Sequence, residues 1–213
     1  MGHEVRSKLY VVAVAGTDPQ QVAAVLDAAG AATLLIAGRD GSALTAVEAR
    51  PLVELAQAKE IAALIAGDAQ LARTLRADGV HLPWSKDVAA SYGEAREVLG
   101  TRYIVGVDVG RSRHDAMTIA ESGADYIGFG IPPHVDDRAS ATARRLELVS
   151  WWSEIFEVPC VAFDVETAED AMALAAVGAD FVAMHSEFDL TPADTKALAR
   201  SLAEAAQHRA ALA

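Results

Sequence analysis

The stretch Gly123-Ala124-Asp125-Tyr126-Ile127-Gly128-Phe129-Gly130 joins a helix end, a small-residue turn and a short buried strand, and the chain repeats it. Gly30-Ala31-Ala32-Thr33-Leu34-Leu35-Ile36, Ala77-Asp78-Gly79-Val80-His81-Leu82 and Gly178-Ala179-Asp180-Phe181-Val182-Ala183 carry the same phrase. Its third position falls at Ala32, Asp78, Asp125 and Asp180, at intervals of 46, 47 and 55 residues. A strand, a helix and their loops take roughly 25 residues, so each interval holds two βα units. Apolar runs at 9–14, 61–66, 103–107 and 159–163 supply the four missing strands. Continuous rather than alternating apolar strands suit a parallel sheet covered by helices. Strict alternation, with no Gly/Ser linker or charge run to interrupt it, predicts an α/β chain forming a single (βα)8 TIM barrel over residues 1–213, in preference to a doubly wound sheet.

Helix punctuation agrees with this reading. Asp18-Pro19 offers an N-cap followed by Pro at the first helical position, and the helix-forming residues 20–29 stop at Gly30. Thr167-Ala168-Glu169-Asp170 opens residues 171–177 in the same way, with Gly178 as the stop. A last helix is expected over 192–210.

With 52% hydrophobic and 23% charged residues, the chain has enough apolar material for a core, which excludes a disordered polypeptide. A formal charge of −12 repels polyanions and excludes general nucleic-acid binding, leaving room only for a local basic pocket. Cys160 is the sole cysteine, so no intramolecular disulfide forms, in keeping with a reducing compartment. Residues 1–8 lead into an apolar run that Thr17-Asp18-Pro19 ends, too short for a secretory leader or a membrane span. The expectation is a cytoplasmic protein with no membrane or nucleic-acid partner; self-association into a homo-oligomer stays open.

The repeated phrases also carry a resemblance. Ala77-Asp78-Gly79-Val80-His81-Leu82 and Gly123-Ala124-Asp125-Tyr126-Ile127-Gly128-Phe129-Gly130 are similar to phrases of the thiamine-phosphate synthase and TenI-type family, as are Val158-Pro159-Cys160-Val161-Ala162 and the last strand, Gly178 to Ser186. Order and spacing match over about residues 8–190. The resemblance implies a role in thiamine biosynthesis: a Mg²⁺-assisted transferase that joins hydroxymethylpyrimidine diphosphate to thiazole phosphate, with pyrophosphate leaving. It places the ligand, a thiazole or pyrimidine precursor, at the C-terminal ends of the strands.

Position by position, the resemblance puts the metal ligands near Asp68 and Asp87, each displaced by about one residue, where two loop carboxylates suit a hydrated Mg²⁺. Arg39, after the second strand, stands where relatives carry a larger diphosphate-binding set, and Arg138 keeps the positive charge of a phosphate-binding loop that begins at Gly130. Relatives carry Gly-Gly after the seventh strand, where this chain has Asp164-Val165, and a serine after the fifth, where it has Asp108. With Asp40 and Asp137, the expected mouth gains carboxylates where phosphate ligands belong, and such charges oppose a bound phosphate.

Other residues point to the same end of the barrel. His81 and His185, near the ends of the fourth and eighth strands, are candidates to join Asp68, Asp108 or Asp164 in a metal set or an acid/base pair, or else to be hydrogen-bonded packing residues. Trp84 can stack on a flat heterocycle, whereas Trp151 and Trp152 read as packing. Cys160 reads as a small buried hydrophobe. The expected catalytic set is thus Asp108, Arg138 and His81, with Arg39, Trp84, Gly130, Asp164, His185 and Ser186 around the ligand. Three functions compete: a thiamine-phosphate synthase-like transferase, a non-catalytic ligand-binding or regulatory barrel for an uncharged or cationic ligand, and a different enzyme with a His/Asp-lined mouth.

Overall fold

A computed structural model describes residues 7–132, 134–185 and 191–212. Ser186 and the leader reading of residues 1–6 lie outside them. Eight strands alternate with helices: β1 (Lys8–Val14), α1 (Pro19–Ala29), β2 (Thr33–Ala37), α2 (Ala46–Ala58), β3 (Ala62–Ala66), α3 (Ala69–Leu75), β4 (Gly79–Leu82), α4 (Val88–Leu99), β5 (Ile104–Asp108), α5 (Arg113–Glu121), β6 (Tyr126–Phe129), α6 (Arg138–Ile155), β7 (Cys160–Ala162), α7 (Ala168–Val177), β8 (Phe181–His185) and α8 (Pro192–Leu212). The strands are parallel and close in sequence order, with β1 pairing both β2 and β8. This is the expected (βα)8 barrel.

The strands are continuously apolar because both faces are covered. In β1, Leu9, Val11 and Ala13 join the large outer core beneath the helices, while Tyr10 and Val12 join Leu35, Leu64, Tyr126 and Val161 in the smaller core inside the barrel. Gly106 makes the inner core fit: a Cβ there would fall within the ring of Tyr126. Trp152 is buried in the outer layer, donates from Nε1 to the Val158 carbonyl at 2.7 Å and stacks on Phe156. Cys160 is fully buried, as a small hydrophobe would be.

The aspartate of the repeated phrase has a structural task. Asp78 accepts the Ala63 N–H, Asp125 the Val105 N–H and Asp180 the Cys160 N–H, each at 2.8 Å. At the start of each of these even-numbered strands, a carboxylate therefore fastens the start of the preceding odd-numbered strand. Ala32, in the first copy, lacks the carboxylate and offers only its carbonyl, to Ala62. These contacts lie on the N-terminal face, where a TIM barrel keeps its stabilising features, so the repeat belongs to folding and leaves the opposite face for chemistry.

Candidate functional site at the barrel mouth

At the C-terminal ends of β5, β6 and β7, two carboxylates converge. Asp108, the last residue of β5, accepts the N–H groups of Gly110 at 2.7 Å and Gly130 at 3.1 Å on Oδ1. Asp164, just past β7, accepts the N–H of Ile131 at 2.7 Å on Oδ2. A Cβ on Gly130 would collide with Oδ2 of Asp108 and stand 2.9 Å from Oδ2 of Asp164, so only glycine admits both carboxylates here. Burial pushes the Asp108 carboxyl up to about 7; the Asp164 charge adds to the rise, and the Gly110 and Gly130 N–H groups oppose it. A carboxyl that titrates near neutrality is suited to exchange a proton with a bound ligand.

Asp164 has a left-handed backbone, φ 56°, which non-glycine residues adopt infrequently and which Asp, Asn and Gly tolerate best. Arg145 of α6 holds it there. Its side chain is 1% exposed; Nη1 donates to the carbonyls of Phe163 and Asp164, and Nη2 forms an ion pair with Asp170 of α7. The arginine thus ties the β7–α7 loop to both flanking helices. Arg145 is absent from the expected site. The available signal is its spacing: Arg145 falls on the stripe of Ala141, Leu148, Val149 and Trp152, the buried face of α6.

Of the two readings of His81, the geometry matches the hydrogen-bonded packing residue. Its ring lies inside the barrel, Nδ1 is 2.9 Å from the Tyr126 hydroxyl, and that hydroxyl is 2.8 Å from Tyr10 Oη. It stacks on Phe163 with centroids 4.5 Å apart. Burial pushes the imidazole down to about 3, so it is neutral at physiological pH. The expected pairing of His81 with a mouth carboxylate is therefore replaced by a buried His81–Tyr126–Tyr10 chain, because a neutral ring finds its hydrogen bond among phenols without bringing a charge into the core. Neither tyrosine stands out in sequence, where each reads as one more residue of an apolar strand.

The remaining candidates lie around the rim. Trp84 is half-buried, its ring centroid 5.0 Å from that of His134, and it crowds Gly110, where a Cβ would stand 2.7 Å from Cδ1. It thereby joins the loops after β4, β5 and β6. Arg39, in a short 3-10 turn after β2, donates to the Ala15 carbonyl at 3.2 Å. Arg138, expected as a catalytic cation, forms an exposed ion pair with Glu166 at 2.8 Å. His185 ends β8, exposed, in register with Val12 of β1. Of the four added carboxylates, Asp108 and Asp164 converge; Asp137 caps α6 through Ser140, and Asp40 sits exposed in the turn after β2.

Asp68 and Asp87 are the N-caps of α3 and α4, each accepting a backbone N–H on Oδ1, from Leu71 and Ala90. Their loops are neighbours: a Cβ on Gly67 would lie 3.7 Å from Pro83 Cδ. Two exposed carboxylates on adjacent loops fit a cation that keeps most of its water, as Mg²⁺ does. Among the described residues, no group of three or more His, Cys, Asp or Glu side chains is placed to hold a metal ion, so the expected His/Asp metal set is not assembled.

A closed barrel of eight parallel strands, each followed by a helix, defines the class, a TIM-barrel protein. A solved structure, the thiamine phosphate pyrophosphorylase from Pyrococcus furiosus, shares the fold with a TM-score of 0.75 at 22% identity, covering 95% of this chain and 98% of that one. The family described as thiamine monophosphate synthase (TMP-TENI) matches residues 9–188, and the chain belongs to it. The thiamine-phosphate synthase of Erythrobacter litoralis is 36% identical over 190 residues, 85% of this chain and 87% of the relative. That of Rhodospirillum centenum is 38% identical over 185 residues, 83% and 86% respectively. Among the described residues, no helix is long and apolar enough to cross a membrane.

Proposed function

We propose that the protein acts in thiamine biosynthesis as a cytoplasmic transferase of the thiamine-phosphate synthase kind, joining hydroxymethylpyrimidine diphosphate to a thiazole partner at the mouth of its barrel. The observation that carries this reading is the family match over residues 9–188, which takes in nearly the whole barrel and the loops of its mouth. Trp84 offers a flat apolar surface to a heterocycle. Arg39 and Arg138 supply the cations of the rim, Arg138 after release from Glu166. Asp68 and Asp87 would hold Mg²⁺, which when bound neutralises diphosphate charge as pyrophosphate departs. Asp108 is the group able to move a proton at the ligand. The test is formation of thiamine or thiamine phosphate from hydroxymethylpyrimidine diphosphate with hydroxyethylthiazole or its phosphate, in the presence of Mg²⁺. No turnover at high protein concentration rejects the transferase.

The two inward carboxylates favour a second reading, a non-catalytic ligand-binding or regulatory barrel for an uncharged or cationic ligand. Thermal-shift titration separates the two, since a native-state binder raises the melting temperature by mass action. Stabilisation by free thiazole, pyrimidine or thiamine without turnover supports the binding barrel.

A further inference from the structure

The ends of β5 and β6 present three backbone N–H groups, of Gly110, Gly130 and Ile131, in one sector of the mouth. Convergent backbone donors of this kind are what a phosphate or another anion takes up in proteins. Here all three donate to the chain's own carboxylates. Asp164 is fixed in this role by a buried arginine that grips its carbonyl and the preceding one, and by a left-handed backbone that aims its side chain at Ile131. An anionic ligand group entering this sector would have to displace a carboxylate and would then lie against its charge.

Resting on the thiazole-binding reading above, we propose that Asp164 is a specificity-determining residue: it fills the Ile131 amide after β6 from within, beside the Gly130 amide that Asp108 takes, so that the thiazole partner enters this sector as a free alcohol and not as its phosphate ester. Oδ2 of Asp164, close above Gly130, offers an acceptor to a hydroxyl, and its carboxylate charge opposes a phosphate. Arg145 acts as a positioning residue, since it touches the loop and not the ligand.

The test uses the full chain with inorganic phosphate as the first probe, in titration calorimetry on the wild type, Asp164→Gly and Asp164→Asn. Both replacements suit a φ of 56°, so the loop keeps its course; Asn retains the acceptor oxygen and loses the charge. Asp164→Gly is expected to bind phosphate at least tenfold more tightly than the wild type, with Asp164→Asn between them. Equal phosphate affinity in the wild type and Asp164→Gly overturns the proposal. In the second arm, the wild type prefers hydroxyethylthiazole over its phosphate at least tenfold, and Asp164→Gly narrows or reverses that ratio. A wild type that prefers the phosphate ester overturns the assignment while leaving the transferase reading standing. Gain of phosphate binding by Asp164→Gly, with neither thiazole compound bound by either protein, supports the filled amides and removes the thiazole reading.

Discussion

The two sides of the barrel mouth use the same residue for opposite ends. On the β3–β4 side, Asp68 and Asp87 stand exposed where helices begin, and each caps its own helix by accepting the N–H three residues ahead. On the β5–β7 side, Asp108 and Asp164 are turned into the mouth and take N–H groups from loops beyond their own turn, as distant as Ile131 from Asp164. Distance to the next helix separates the two cases. Asp68 and Asp87 directly precede α3 and α4, whereas four residues lie between Asp108 and α5 and three between Asp164 and α7. A carboxylate with no helix to cap finds its donors elsewhere, here on the loop after β6.

The largest way to break this contrast is to loosen the β5–β7 side. Arg145→Ala leaves Asp170 without its partner and two loop carbonyls without a donor, and should destabilise the fold by about 3–5 kcal/mol, read from denaturant midpoints. Next comes pH. The Asp108 carboxyl is raised to about 7, so the native state holds a proton that the unfolded chain releases at its ordinary, lower value. The native state then binds more protons, and this group lowers stability as pH rises from about 4 to about 7. Asp108→Asn keeps an oxygen for the Gly110 and Gly130 N–H groups and removes the titration. It should stabilise the protein above pH 7 by at most about 4 kcal/mol, flattening that part of the profile. No change in the profile would show that Asp108 is ionised without penalty.

His81 contributes with the opposite sign. Its imidazole is pushed down to about 3, so the unfolded chain takes up a proton near pH 6.5 that the native state refuses. Stability on its account falls as pH drops from about 6.5 toward 3, and between pH 4 and 6.5 the two groups oppose each other. Tyr126→Phe, which strands His81 Nδ1 and the Tyr10 hydroxyl, should destabilise by about 1–3 kcal/mol without altering ligand preference at the mouth. The smallest effects belong to the exposed side: Asp68→Ala and Asp87→Ala should each lower stability by about 1 kcal/mol through loss of an N-cap. A Mg²⁺-dependent rise in melting temperature that disappears in the double variant would tie the pair to the metal as well.

Much of the barrel was legible from the chain alone. The spacing of the Gly-Ala-Asp phrase and the apolar runs between its copies located all eight strands, because each βα unit is a local affair of strand length, helix punctuation and turn chemistry. The candidate mouth was legible as a set of positions: Asp108, Gly130 and Asp164 lie at strand ends and come together there. Partners were not legible. Arg145 stands beside Arg144, which pairs at the surface with Glu147, and only packing of α6 against the barrel separates their fates. His81 stands at a strand end like the aspartates, but its ring settles within reach of a tyrosine 45 residues away.

Sequence by itself determined the eightfold alternation of strand and helix, since hydrophobic period and helix capping act over a few residues. The tertiary structure decided which mouth carboxylate is a helix cap and which occupies the backbone amides of a neighbouring loop. That choice depends on donors distant in the chain, which come within reach only once the barrel has closed.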